Sequence, residues 1–274
     1  MRGRKNMIIQ IDSLEAYSDF ISEIANDSEY SDPHFSYDKN SLYHAFQKNN
    51  HLVYASVNGE MINGLFVWLV IEDEQYAEMI IGLTKDSSAM ADMLGFMETV
   101  YPGYQADFVI NPKHPVMRNA LKSKNASFES EQQRMIHNGI IPALPKVCIE
   151  EYSSKWKDAY CLMHRQETYW TAERVIAAED RFRIFLAVEN QRLIGYLDVT
   201  YCFAENEPYD LYVEPEMSNK GYEFALLANA LARNKPNRMM VLVDIDSSDE
   251  IRFYQDAGFE RLEGQNSVYA SYTF

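Results

Sequence analysis

The chain has 274 residues, 47% of them apolar, and a formal net charge of −16. That is enough material for two ordinary domains and too apolar a composition for a disordered chain. The acidic balance repels nucleic acid and anionic membrane surfaces, which excludes both as partners, and it is compatible with a cationic small molecule.

The opening MRGRKNMIIQ is basic but has no long apolar run behind it, so no signal peptide is read there and the fold is expected to start at Met7. No apolar run approaches the ~18 residues of a membrane span. Cys148, Cys161 and Cys202 are scattered without a CxxC pair, which points to a reducing compartment, the cytoplasm. The six histidines share no metal-ligand spacing, so no metal site is expected.

In chain order, SLEAYSDFISEIA puts Leu14, Tyr17, Phe20, Ile21 and Ile24 on one helical face. HLVYASVNGEMINGLFVWLV reads as two strands around an Asn58-Gly59 turn. A third strand (YAEMIIGL), a helix over about Ser88 to Thr99, an apolar strand (ADFVI), a short helix and a final strand pair follow. GIIPALPKV, Gly139 to Val147, carries two prolines and reads as a linker. Beyond it the order repeats. SKWKDAYCLMHRQETYW is helical, FRIFLAVENQRLIGYLDV is a hairpin around Asn190-Gln191, and PYDLYV is a third strand. A helix from Lys220 to Ala232, the strand MMVLVDI, a short helix and a last strand pair complete it. The two hairpins, and the later NASFE (Asn125 to Glu129) and DAGFE (Asp256 to Glu260), share one offset of about 130 residues, as a duplicated domain would. The expected fold is α/β (α+β): two tandem domains, 7–140 and 147–274, each a mixed, mostly antiparallel twisted sheet flanked by helices.

The stretch LYVEPEMSNKGYEFALL, Leu211 to Leu227, concentrates the chemistry. Pro215 ends a strand. Phe224, Leu227, Ala228 and Leu231 give the next helix an apolar face. Its open N–H groups near Asn219 to Gly221 suit phosphate, and Gly221 lets a ligand approach the backbone. Further on, SSDEIRFYQDAGF opens with Ser247 and Glu250 at capping-box spacing, and Gly258 suits a left-handed helix cap.

Val213, Pro215, Glu216, Gly221, Ala225, Leu226 and Leu227 match, without a gap, motif A of the GNAT superfamily of N-acetyltransferases, and Phe253, Tyr254, Gly258 and Phe259 resemble its later Phe-Tyr-x-x-x-Gly-Phe signature. The resemblance covers roughly 147–274. It implies acetyl-CoA as co-substrate and a small-molecule or peptide amine as acceptor. The turn formed by Ser218, Asn219, Lys220, Gly221, Tyr222 and Glu223 would hold the pyrophosphate. The backbone of Leu211, Tyr212 and Val213 would pair with the pantetheine arm. Ser247 stands where the family places an asparagine before the last helix. Tyr254 would protonate the departing thiolate, and Asp210 is the expected base, with Glu207 and Asp198 as competitors. The sequence departs from the family at Ser218 (Arg or Gln), Glu223 (Gly or Ala) and Ser247, which weakens the cradle and leaves a non-catalytic CoA-sensing or protein-binding scaffold as the alternative. In the first half the turn GLTKDSSAMADM lacks the glycine pattern and Ser123 aligns with Tyr254, so that copy is expected to be degenerate, covering the other domain or shaping its acceptor pocket. The oligomeric state is not written in any of these motifs.

Overall fold

A computed structural model describes residues 6–141, 147–165, 169–218 and 220–274. The chain divides into two compact units: Met1–Gln133 with Asp244–Asp246 and Glu263–Phe274, and Arg134–Val243 with Ser247–Leu262. The continuous boundaries read from the sequence, 7–140 and 147–274, are corrected at both junctions. Part of the linker read at Gly139 to Val147, residues 142–146, lies outside the described residues.

The first unit begins with β1 (Met7–Gln10), α1 (Ser18–Ala25), α2 (Pro33–Tyr37) and α3 (Ser41–His44). It continues with β2 (His51–Asn58), β3 (Met61–Ile71), β4 (Tyr76–Leu83), α4 (Ser87–Val100), β5 (Gln105–Ile110), α5 (Pro115–Ser123) and the first half of β6 (Ser127–His137). Alternation along the strands sorts two cores. Phe66 and Trp68 of β3 pack with Met90, Met93 and Met97 of α4. Leu65 and Val67 pack with Ile21, Ile24, Phe35 and Leu42 of the first three helices. The β2–β3 turn falls one residue later than expected, because Asn58 pairs with Met61 and Gly59 supplies the positive φ of 66°.

The second unit contains β7 (Cys148–Glu151), α6 (Lys157–Met163), α7 (Ala172–Ala177), β8 (Phe182–Glu189), β9 (Arg192–Thr200), β10 (Glu205–Asn206), β11 (Pro208–Val213), α8 (Tyr222–Asn234), β12 (Arg238–Asp244), α9 (Ser248–Asp256) and β13 (Phe259–Arg261). β7, β8, β9 and β11 form an antiparallel four-stranded sheet with β11 at its edge. β13, β6 from Arg134 onward, β12 and β10 lie side by side in a second set. Asn190 and Gln191 both have positive φ, the two-residue turn read in the sequence. Leu226, Leu227 and Leu231 of α8 are buried among Leu197, Val199, Val241 and Val243, each such burial contributing about 1.5–3 kcal/mol. The long helix expected over residues 154–170 is a 3-10 turn (Ser154–Trp156) leading into α6 and stops there, because His164 turns extended at ψ 143°; 166–168 lie outside the described residues.

The last strand, β14 (Ser267–Thr273), belongs to the first unit. It pairs antiparallel with β5 from Val268 to Thr273, and with the first half of β6 on its other side. Val268 and Ala270 are buried in the core beneath α4 and α5. That burial is why a boundary drawn by chain order misassigns this strand.

Candidate active site

In the second unit β10 runs parallel to β12 for two rungs, Glu205 opposite Arg238 and Asn206 opposite Met239. The chain then leaves β12, and from Pro208 it pairs with β9 instead. Glu207 stands at the point of separation. A bulge between Pro208 and Asp210 twists β11 further from its former neighbour. Glu214 N–H bonds Ile194 C=O at 2.9 Å. By antiparallel alternation Tyr212 also bonds toward β9, so Leu211 and Val213 turn their backbone groups to the open edge. Gly195 permits this arrangement: a Cβ there would lie 2.7 Å from the Tyr212 carbonyl oxygen and 2.8 Å from Val213 Cγ2.

The turn after β11 delivers α8 with its N-terminus uncovered. Gly221 is the N-cap at φ 86°, and no side chain caps the helix. The first intrahelical bond is Ala225 N–H to Gly221 C=O, so the amides of Tyr222, Glu223 and Phe224 have no partner within the helix. A cavity of 570 Å³ joins this terminus to the open edge, lined by Leu211, Tyr212, Val213, Gly221, Glu223 and Phe253 among others. The two residues that depart from the family pattern meet each other, since Ser218 Oγ donates to Glu223 Oε1 at 3.0 Å. Lys220 is exposed, with its Nζ 3.2 Å from Met217 Sδ. Tyr222 donates its hydroxyl to Glu189 and is 5% exposed, so its backbone rather than its ring faces the turn. Asn219 lies outside the described residues. Ser247 is the N-cap of α9 but makes no side-chain capping bond, so the serine half of the expected capping box is not formed. Gly258 has the expected left-handed φ, 92°.

Tyr254 is 4% exposed, its ring edge-on to Phe253 and Phe259. Phe253 rather than Tyr254 lines the cavity. Burial raises the Tyr254 pKa, and the charges of Glu250 and Glu207 raise it further. The phenol is therefore held protonated, the form an acid needs. The half-buried Glu207 has its carboxyl pushed up to about 7 by desolvation, against the opposing charge of Arg181. That value is suited to a base operating near neutrality.

Asp210, the base expected from the sequence, sits elsewhere. It is directly opposite Asp198 across β9 and β11, and both are buried, at 2% and 0% exposure. Like charges in that position repel. The end of α6 neutralises them with two consecutive residues: His164 Nε2 lies 2.9 Å from Asp198 Oδ2, and Arg165 forms an ion pair with Asp210. The hydroxyls of Tyr160 and Tyr196 donate to Asp198 and Asp210 respectively. Burial opposes a charge on His164, but its hydrogen bonds to Asp198 and the Arg165 carbonyl, with the two carboxylates, raise its pKa. Sequence spacing missed this set, in which ligand atoms of His164, Asp198 and Asp210 lie within 4.8 Å of one another. It could take a cation only by displacing Arg165. With its oxygens committed to Arg165 and Tyr196, Asp210 is not placed to accept a substrate proton.

The first unit has the corresponding edge and closes it. Its β4 and β5 run parallel from Tyr76 opposite Gln105 to Met79 opposite Phe108, and then part. Beyond that point His34 Nδ1 donates to Ile80 C=O at 2.8 Å, and Gly82 N–H donates to Asp32 Oδ2 at 3.0 Å. The other Asp32 oxygen caps α2 through Phe35 N–H. The next helix, α4, is capped as well, by Asp86 Oδ1 accepting from Ser88 and Ala89 N–H.

The family model described as an acetyltransferase (GNAT) domain matches residues 180–261. No curated protein sequence matches the chain. Among solved structures it is similar to a tandem GNAT protein from the clavulanic acid biosynthesis pathway, with TM-score 0.61, 10% identity and 98% of each chain covered. It is also similar to a GCN5-related N-acetyltransferase from Sphaerobacter thermophilus, with TM-score 0.68, 10% identity, and 100% of this chain and 96% of the other covered. A third similar structure is a GCN5-related N-acetyltransferase from Kribbella flavida, with TM-score 0.58, 12% identity, and 85% and 93% covered. At such identities the likeness is one of fold. Residues 180–261 thus match the model of a GNAT acetyltransferase domain, and the chain has the fold seen in tandem GNAT proteins.

Proposed function

We propose that the second unit transfers an acetyl group from acetyl-CoA to an amine. The observation that carries this reading is the junction of an open strand edge with an uncapped helix N-terminus in one cavity. The residues present fit the co-substrate: backbone groups of Leu211 and Val213 for the pantetheine amides, and amides of Tyr222 to Phe224 for the pyrophosphate. Gly221 offers open space, since nothing lies within 4 Å of where its Cβ would be. Lys220 adds a positive charge to the turn. Acetyl-CoA supplies an activated thioester.

Glu207, as carboxylate, takes a proton from the ammonium of the acceptor, directly or through water. The neutral nitrogen then bonds to the acetyl carbonyl carbon, the carbon–sulfur bond breaks, Tyr254 donates its proton to the thiolate, and the nitrogen releases its second proton to solvent to give the neutral amide. Solvent later resets both side chains. Tyr254→Phe is expected to lose rate more than acetyl-CoA affinity, and a normal turnover number would remove Tyr254 from the mechanism. Calorimetric titration with acetyl-CoA tests the reading itself: about one equivalent bound at micromolar affinity supports it, and no binding up to about millimolar rejects it.

A second reading, binding without turnover by a CoA-sensing or protein-binding scaffold, is favoured by the Ser218–Glu223 contact, which puts a carboxylate at the mouth of the cradle. It predicts acetyl-CoA binding with no product from any amine. On either reading the protein works in the cytoplasm. No helix among the described residues is long and apolar enough to cross a membrane.

A further inference from the structure

We infer that the acceptor carries a carboxylate beside its amine, and that Arg181 binds that carboxylate. The inference rests on the reading of Glu207 as the base. Arg181 lies in the turn between α7 and β8, where its backbone N–H bonds the Ala178 carbonyl at 2.9 Å. Three rings surround its guanidinium, with centroids at 4.9 Å for Trp170, 5.6 Å for Phe182 and 5.4 Å for Phe203. Tyr209 continues the aromatic wall, 5.7 Å from Phe182. Rings at these distances hold a cation in place and strip water from its faces. The donor edge is what remains for a ligand.

That edge is under-used. Arg181 Nε is buried with no hydrogen-bond partner, and among the described residues no carboxylate pairs with the guanidinium. The chain has 41 Asp and Glu against 25 Lys and Arg, so an unpaired arginine stands out where carboxylates are plentiful. Other arginines of the unit find partners: Arg165, Arg192 and Arg233 each pair with an acid, and Arg174 and Arg183 each donate to a backbone carbonyl. A buried donor left unmatched is costly unless something completes it. A planar guanidinium with ring-covered faces and an unmatched Nε donor suits a carboxylate bound in bidentate fashion.

The placement also suits the reaction. The backbone brings Arg181 and Glu207 to adjacent residues: Tyr201 N–H donates to the Arg181 carbonyl and Thr200 N–H to the Glu207 carbonyl, each at 3.0 Å, where β10 and β11 leave β12. Phe203 and Tyr209 are 45% and 38% exposed, so the aromatic wall is reached from solvent. An amino-acid-like acceptor could seat its carboxylate on Arg181 and turn its ammonium toward Glu207. The net charge of −16 would otherwise repel such a carboxylate, which is why a dedicated cation is needed.

The test is calorimetric titration of the full chain with a panel of N-acetyl amino acids, each matched with its N-acetyl amide. These are the products of such acceptors, and they bind without turnover. At least one acid is expected to bind about tenfold or more tighter than its amide. Arg181→Met should erase that difference and Arg181→Lys should keep part of it, with the melting temperature reporting that each variant is folded. Amides binding as tightly as acids, a preference that survives Arg181→Met, or no acid binding at all would each overturn the inference. Acetyl-CoA is titrated separately. If it fails to bind while the acids bind, the transferase reading falls and the carboxylate site stands.

Discussion

In each unit a strand parts from its parallel neighbour and exposes backbone groups along one edge, but the two edges have different fates. In the first unit Asp32 and His34 bond to Gly82 N–H and Ile80 C=O, and Asp86 caps the helix that follows. In the second, Leu211 and Val213 keep an open edge, and Gly221 begins α8 without a side-chain cap. The same local geometry is a closed structural joint in one copy and, in the other, the open edge proposed to receive the co-substrate. What separates them is whether the chain provides its own polar groups to the edge.

The largest effect expected to sharpen this contrast comes from Glu207→Gln, which should lower kcat by about 10²–10⁴. The wild-type rate should rise with pH through about 7, because the base works only when deprotonated. The variant should be slow and lose that limb, and a pH–rate profile checks both. Next is the stability of the closed edge. Burial holds the Asp32 carboxyl at about 6, above its ordinary 3.8, so ionising it works against folding. Its contribution to stability is fully present below about 4 and lost as pH rises through about 6, a swing of about 2–3 kcal/mol. Denaturant unfolding of wild type and Asp32→Asn across pH 3–8 should show the swing only in the wild type.

A matched pair of glycines compares the edges directly. Gly195→Ala drives a Cβ into the Tyr212 carbonyl and should weaken acetyl-CoA binding about tenfold or more. Gly64→Ala drives a Cβ into the buried Phe66 ring, so it should cost stability in the first unit while changing acetyl-CoA affinity by less than about twofold. Equal effects in a binding assay would mean that the second edge is not the cofactor site. Smallest is Glu223→Gln. A carboxylate ~6 Å from a phosphate costs about 2–3 kcal/mol at an effective dielectric of about 20, reduced by solvent at this half-buried position, so a gain of up to about tenfold in affinity is expected. An unchanged affinity would mean that Glu223 stays turned to Ser218 when the ligand binds.

Much of this was legible in the sequence because it is local. The Asn190-Gln191 turn, the uncapped glycine start of α8 and the apolar face behind it are each written within a few residues. The closed edge of the first copy was legible only as a missing glycine pattern. Its physical basis, Asp32 and His34 reaching strand β4 about 50 residues on, leaves no periodic trace. The pairing of Asp210 with Arg165 and Tyr196, which is why Glu207 is proposed in its place, depends on which way β11 faces, and a bulge falls between Pro208 and Asp210. The His164 and Arg165 counter-ions were hidden because the helix expected through them ends at Met163.

Strand β14 carries a consequence for how the chain is made. The first unit needs residues 267–273 between its β5 and β6, yet those residues leave the ribosome after the entire second unit. Until then β5 and β6 lack the strand that bridges them, and Val268 and Ala270 are missing from the core beneath α4 and α5. Such distant pairings are slow to form. The half of the protein synthesised first is therefore the half that finishes folding last, and a chaperone that shields exposed strand edges should be found on it throughout translation.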